Sequence, residues 1–154
     1  SSIVPLFLGG GQQQLMRAGT VNVPAVIGLG AACYWCSENM EKENSRLVSM
    51  RDQMMNQLRE TNKVKINGHL KERLPNNINA TFAGVSLDKL LLGLPNVSFS
   101  ASSACSSGNA EPSHVLQAIG LTSDEIRSTV RFGFGFGISE NQLKEVTGKI
   151  LKLL

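Results

Sequence analysis

The stretch Ser128-Thr129-Val130-Arg131-Phe132-Gly133-Phe134 alternates around Val130 and Phe132, and this two-residue period predicts a β-strand. Arg131 is the only charged residue in it. An arginine in an apolar strand requires an anionic partner, either a carboxylate of the protein or one on a ligand. The strand therefore marks Arg131 as a candidate binding residue and leaves a structural ion pair as the alternative.

The segments on either side of this strand mix helices and short strands. A long helix is predicted from Pro24 to about Thr61, with Leu47, Met50, Met54 and Leu58 at helical spacing. Further strands are predicted over residues 64–66, 78–82 and 97–99, and helices over residues 87–92 and 112–119. The pairs Thr122/Glu125 and Ser139/Gln142 have capping-box spacing and predict two more helix starts. This mixture predicts an α+β fold in which helices pack on one face of a short, mostly antiparallel sheet.

The composition excludes several classes of protein. The chain has 154 residues, enough for one ordinary domain, and its 42% hydrophobic and 18% charged residues are typical of a packed protein rather than a disordered one. A net charge of only +3 is too weak to indicate a nucleic-acid partner. The sequence predicts no signal peptide and no membrane span. Three cysteines do not make a disulfide framework, so we expect free thiols in a reducing compartment.

Charge is distributed unevenly along the chain. Residues 1–36 contain one charged side chain, Arg17, whereas residues 37–73 contain fourteen. So apolar a segment needs to be covered by other protein. We therefore interpret residues 1–22 as the tail of a larger domain whose preceding part is absent, and residues 23–154 as a second, smaller domain.

Cys105 is the strongest candidate for a reactive side chain. It lies among small residues in Ser-Ala-Ser-Ser-Ala-Cys-Ser-Ser-Gly-Asn, within a predicted loop over about residues 100–111. Reactive cysteines need exposure and freedom of movement, which this loop offers, although no base adjoins the thiol in the sequence.

The other candidate sites have simpler interpretations. Cys33 and Cys36 could form a redox pair or half of a zinc site, but no second cysteine pair exists, and two ordinary helix cysteines with no metal are expected. The run Gly9-Gly10-Gly11 matches neither of the two glycine-rich phosphate-binding motifs, the Walker loop and G-x-G-x-x-G. No lysine follows it, as the Walker loop would require. His69 and His114 are expected to be loop and helix-start residues.

Four blocks of this sequence, in order, resemble the cysteine desulfurases of the class V aminotransferase family. They are Gly9-Gly10-Gly11-Gln12 with Met16-Arg17-Ala18-Gly19-Thr20-Val21-Asn22-Val23-Pro24, Arg73-Leu74-Pro75-Asn76-Asn77-Ile78-Asn79, Ser103-Ala104-Cys105-Ser106-Ser107 with Glu111-Pro112-Ser113-His114-Val115-Leu116, and Val130-Arg131-Phe132-Gly133-Phe134-Gly135. The resemblance covers only the C-terminal portion of that family. It implies the small domain of a fold-type I enzyme that uses pyridoxal 5'-phosphate, and no Ser-x-His-Lys segment for the cofactor lysine occurs here.

The resemblance also implies roles for three residues. Cys105 would take sulfur from L-cysteine as a persulfide, with release of alanine. Arg131 would bind the substrate carboxylate, and Thr20 would bind the cofactor phosphate of the neighbouring subunit, which requires a homodimer.

The resemblance implies further expectations for the whole enzyme. It would pass sulfur to an acceptor or an iron–sulfur scaffold protein, bind neither nucleic acid nor membrane, and reside in the cytoplasm or, in a eukaryote, the mitochondrial matrix. The chain alone would be inactive. Two alternatives remain open: selenocysteine lyase chemistry, and a non-catalytic remnant that serves as a dimerisation or sulfur-acceptor module.

Overall fold

The computed structural model describes residues 4–101 and 112–154, and the chain divides into two compact units, Ser1–Glu41 and Lys42–Leu154. The helices are α1 (Val23–Glu60), α2 (Leu87–Gly93), α3 (His114–Ala118), α4 (Ser123–Arg127) and α5 (Glu140–Leu153). The strands are β1 (Val64–Ile66), β2 (Asn77–Phe82), β3 (Ser100–Ala101) and β4 (Thr129–Gly133). Between residues 4 and 41 the structure contains a short turn at Gln12–Leu15 and the first part of α1, and none of these residues is buried.

The sheet in the second unit has the strand order β1-β2-β4-β3, and all three strand pairs are antiparallel. Ile78 lies opposite Phe132 and Ala80 opposite Val130, so the apolar positions of β2 and β4 share one face. The same register puts Asn79 opposite Arg131 and Thr81 opposite Thr129 on the other face. The predicted α+β class with a small antiparallel sheet is confirmed.

The hydrophobic core lies between the apolar face of the sheet and α1, α2 and α5. The helical spacing predicted for α1 is confirmed, because Leu47, Met50, Met54 and Leu58 are all buried in this core. The Phe82 and Phe132 rings meet edge to face, with centroids 6.4 Å apart. The polar face of the sheet is thereby left free of these three helices.

The helix starts predicted from capping-box spacing are also confirmed. Thr122 and Glu125 at the start of α4, and Ser139 and Gln142 at the start of α5, each form both hydrogen bonds of the box. α4 contacts the polar side of the sheet, where its Glu125 main-chain oxygen accepts a hydrogen bond from the Thr129 hydroxyl. A short helix is thus held directly beside the polar ends of β2 and β4.

The strand predicted over residues 97–99 is wrong. The Val97 N–H donates to the Leu94 oxygen at 3.0 Å and closes a turn, and strand pairing begins only at Ser100. Phe99 still contacts the core, with its ring centroid 5.6 Å from the ring centroid of Phe132. The apolar residues of this segment therefore reach the core from a loop, a contact that sequence alone does not distinguish from a strand.

Candidate functional site

A row of polar side chains crosses the sheet on the face opposite the core. Arg131 of β4 lies between Asn79 of β2 and Ser100 of β3. Asn67 follows β1, and its main-chain N–H donates to the main-chain oxygen of Asn79 at 2.9 Å. We call these four residues, Asn67, Asn79, Arg131 and Ser100, the polar row. Antiparallel register therefore brings together residues that are far apart in the sequence.

Arg131 is the exposed cation of the polar row. Its guanidinium Nη2 donates to the Ser100 hydroxyl at 3.3 Å. Within residues 4–101 and 112–154 Arg131 forms no ion pair. The carboxylate that an arginine in this strand requires is therefore not supplied by the described part of the protein, which favours a carboxylate on a ligand.

Asn67 forms the buried end of the polar row. Only 4% of Asn67 is exposed, and its side-chain Nδ2 donates to Asn79 Oδ1 at 2.7 Å and to Thr81 Oγ1 at 2.9 Å. Thr81 Oγ1 in turn lies 2.6 Å from Thr129 Oγ1, and Thr129 donates to the Glu125 main-chain oxygen, also at 2.6 Å. The row is thus fixed to α4 by a continuous series of hydrogen bonds.

Arg73 supports the turn that carries Asn67. Its Nη2 donates to the Asn67 main-chain oxygen at 3.1 Å, while its Nε is buried without a partner in the described structure. Burial, reinforced by the nearby Arg51 cation, lowers the pKa of Arg73 from its usual value. The neighbouring Arg51 is itself buried and binds Asp52 at 2.8 Å. Both arginines therefore serve the packing of this turn rather than an open site.

An ion pair joins β1 to α4 beside the polar face of the sheet. Lys65 of β1 lies 2.8 Å from the Glu125 carboxylate of α4. The hydrogen bond from Lys65, and after it the one from the Thr122 N–H, lowers the pKa of Glu125 to about 2. A cleft of about 420 Å³ opens beside this pair, with Thr81 and Asn62 among its lining residues. Arg131 does not line this cleft.

Thr20 lies in the first unit, and its surroundings are described by themselves. The Arg17 guanidinium donates to the main-chain oxygens of Gly19 and Thr20, at 3.1 and 3.3 Å. Gly19 has φ +91°, a conformation that favours glycine. The Thr20 residue is exposed, and its hydroxyl has no hydrogen bond within the described ranges.

The three cysteines have different outcomes. Cys105 lies outside the described residues, so its predicted role is untested by the fold. Cys33 and Cys36 are free and exposed on α1.

Outside residues 1–3 and 102–111, no cluster of potential ligands could hold a metal ion. In the same ranges, no helix is both long and apolar enough to cross a membrane.

Sequence reasoning identified Arg131 but missed its neighbours Asn67, Asn79 and Ser100. The alternation of Asn77, Asn79 and Thr81 with apolar residues did indicate a strand with one polar face. The pairing of that face with Arg131 depends on register between distant segments, for which the sequence has no local signal.

Comparison with known proteins matches this chain to one family. The family model described as aminotransferase class-V matches residues 9–146. A cysteine desulfurase from Mus musculus is 39% identical over 144 residues, which cover 93% of this chain and 31% of that protein. The cysteine desulfurase IscS of Pasteurella multocida is 36% identical over 135 residues, covering 88% and 33%.

A solved structure has a similar fold. The X-ray structure of a NifS-like protein from Rickettsia africae superposes with a TM-score of 0.80 at 24% identity, over 99% of this chain and 40% of that one. This likeness establishes the fold. The chain spans about a third of the length of the curated relatives it matches.

Proposed function

Since the chain belongs to the class-V aminotransferase family, we propose that it is the C-terminal part of a cysteine desulfurase that converts L-cysteine to L-alanine. The observation that carries the proposal is the exposed Arg131 on the polar face of the sheet, which forms no ion pair with the described residues. A planar guanidinium donates two parallel hydrogen bonds to a carboxylate, so Arg131 suits the carboxylate of an amino-acid substrate.

The topology supports a joint site for Arg131 and Cys105. Ser100 lies directly opposite Arg131, and Ala101 opposite Val130, so the last residues described before Cys105 lie beside Arg131. Cys105 follows Ala101 by four residues, a length of chain that spans at most about 14 Å. Four residues of extended chain are long enough for the Cys105 thiol to reach a substrate that Arg131 holds, which supports the proposal.

Cys105 performs the sulfur transfer in this proposal. Its thiolate attacks the sulfur of L-cysteine, the new S–S bond forms, and the substrate C–S bond breaks. The released carbon fragment takes up a proton and leaves as L-alanine, while Cys105 keeps the sulfur as a persulfide. The atoms balance with no added oxidant: one cysteine and one thiol give one alanine and one persulfide.

The residues around Thr20 fit the phosphate of pyridoxal 5'-phosphate. An exposed hydroxyl beside an arginine guanidinium is a donor set that suits phosphate oxygens. The cofactor, when bound, withdraws electrons from the substrate and so weakens the bond to sulfur. Thr20 would hold the phosphate bound to the neighbouring subunit of a homodimer, and an acceptor or iron–sulfur scaffold protein would remove the sulfur. The enzyme would act in the cytoplasm or in the mitochondrial matrix.

The proposal is tested by the fate of sulfur on this chain. The chain is combined with a polypeptide that carries the cofactor lysine, and L-alanine and the intact mass of the chain are measured after L-cysteine is added. We expect alanine release and one added sulfur at Cys105, and neither product from the chain alone. Cys105→Ser should abolish the persulfide, whereas the matched controls Cys33→Ser and Cys36→Ser should leave it unchanged.

Two results would contradict the proposal. Full sulfur release by Cys105→Ser would show that Cys105 is not the nucleophile. Binding of the lysine-bearing polypeptide without alanine release would favour the non-catalytic module, and activity confined to L-selenocysteine would favour the lyase.

A further inference from the structure

The hydrogen bonds that run from α4 to the polar row have only one consistent direction. They end on the Glu125 main-chain oxygen, and a carbonyl oxygen can only accept. Thr129 therefore uses its single hydroxyl hydrogen on Glu125. The 2.6 Å contact between Thr81 and Thr129 must then use the hydrogen of Thr81.

This direction fixes the orientation of two amide side chains. Because the Thr81 hydroxyl donates to Thr129, its oxygen can only accept from Asn67, so the Asn67 atom at 2.9 Å is the nitrogen. The second hydrogen of that nitrogen goes to Asn79, 2.7 Å away, which must present its oxygen. The Asn79 NH₂ group consequently points away from Asn67.

The freed NH₂ group of Asn79 has Arg131 as its cross-strand neighbour. Directly opposite residues of an antiparallel pair have Cβ atoms about 5 Å apart. In the described parts of the chain the Asn79 NH₂ group has no acceptor, and a guanidinium has none to offer, since arginine only donates. Two donor-only groups side by side suit an acceptor with more than one oxygen, and a carboxylate is such an acceptor.

We propose that Asn79 is a second substrate-binding residue, whose amide NH₂ group and the Arg131 guanidinium together bind the carboxylate of the amino-acid substrate. Asn67, Thr81 and Thr129 are positioning residues that hold the Asn79 amide in the donating orientation. This inference rests on the proposed function, in which Arg131 binds that carboxylate.

The first test is an NMR titration of the isotopically labelled full chain with L-alanine, the proposed product. We expect the side-chain amide of Asn79 and the Nε–H of Arg131 to shift together, with one common dissociation constant. Ethylamine, which has an amine but no carboxylate, should shift neither resonance. Titration continues to the solubility limit of L-alanine, and absence of any shift there counts against both the inference and the assignment of Arg131.

A substitution at Asn79 separates this inference from the proposed function. Asn79→Asp replaces the donating group with a negative oxygen and should weaken L-alanine binding about tenfold or more. Asn77→Asp is the matched control, because Asn77 lies on the same face of β2, about 7 Å along the strand and opposite Gly133. The control adds the same charge without removing the donor and should weaken binding less.

Substitutions at Thr129 test the positioning role. Thr129→Val removes the hydroxyl while keeping the shape, so the Asn67 and Asn79 amides lose their fixed orientation and binding should weaken several-fold. Thr129→Ser keeps the hydroxyl and should restore binding. Each variant is compared at a temperature where its amide spectrum is that of the folded protein, so a loss of fold is recognised separately.

The outcomes distinguish the two claims. Wild-type binding by Asn79→Asp, together with lost binding by Arg131→Lys, overturns the role of Asn79 and leaves the proposed function intact. Wild-type binding by both variants overturns the carboxylate site itself. If Asn79→Asp and Asn77→Asp weaken binding equally, the effect is one of added charge and Asn79 is not a ligand.

Discussion

Arg131 differs from a lysine at the same place in the geometry of its donors. A guanidinium presents a rigid planar fork, whereas an ammonium is a point charge with rotating hydrogens. We predict that Arg131→Lys in the assembled enzyme raises the KM for L-cysteine about tenfold or more, with a smaller change in kcat, because it loses one of two charged hydrogen bonds.

Steady-state kinetics check this prediction against a matched control. Arg127→Lys makes the same replacement at an exposed helix position, where the arginine lies 3.8 Å from Asp124. Kinetics of the control should equal those of the unsubstituted enzyme. An unchanged KM for Arg131→Lys would show that the substrate carboxylate binds elsewhere.

At this scale the sequence revealed the candidate site only in part. Arg131 was identifiable because a lone cation in an apolar strand needs an anion. Asn79 was not, since asparagines are common in polar strand positions and nothing local distinguishes it. Its significance depends on the direction of hydrogen bonds from Thr129 to Asn67, residues 62 positions apart in the sequence. Only the register of β2 with β4 brings that series together.

Among the elements, α4 depends on a charged contact with β1. The Lys65–Glu125 pair joins the two, and its hydrogen bond holds the pKa of Glu125 at about 2, well below the usual value of a glutamate carboxyl. A depressed carboxyl pKa contributes stability above the unfolded value, and this contribution is lost as the pH falls from about 4.5 towards 2. We predict that Glu125→Gln lowers the urea midpoint of unfolding at neutral pH. Between pH 4.5 and pH 2 the urea midpoint of this variant should fall less than that of the unsubstituted protein.

Urea unfolding at several pH values measures this effect. Glutamine keeps an oxygen for the Thr122 N–H, so the capping box survives while the charge is lost. Asp124→Asn is the control, because it removes the same charge from an almost fully exposed neighbour on α4. If the urea midpoints of the two variants change equally with acid pH, the ion pair of Glu125 with Lys65 makes no specific contribution to stability.

The elements themselves were predictable wherever a local signal existed. The period of Leu47, Met50 and Met54 and the pair Thr122/Glu125 depend on residues three or four apart, which a sequence displays directly. The segment from Val97 to Phe99 failed because its burial comes from a non-local contact with Phe132. Local patterns thus predicted the helices, and tertiary contacts decided where β3 begins.

At the scale of the whole molecule, the buried residues among positions 4–101 and 112–154 all lie in the second unit. All residues of the two hydrophobic clusters lie at or beyond Leu47, whereas Leu6 and Leu8 of the first unit are 93% and 89% exposed. The apolar side chains of the first unit are therefore left exposed within the described residues. This distribution supports the interpretation of residues 1–22 as part of a larger domain, which stays a prediction.

The same distribution predicts that residues 42–154 fold without the first unit. That polypeptide retains the sheet, the core and the buried part of α1, and the described residues that it loses, 4–41, are all exposed or half-buried. Thermal unfolding followed by circular dichroism should remain cooperative, with a midpoint within about 4 °C of the full chain, since the change should not exceed about 1 kcal/mol. Met54→Ala, which leaves a cavity in the same core, should lower the midpoint further than the truncation does. A non-cooperative transition in the truncated protein would show that the first unit contributes to the stability of the second. The distribution of buried residues would then fail to predict which part of the chain folds on its own.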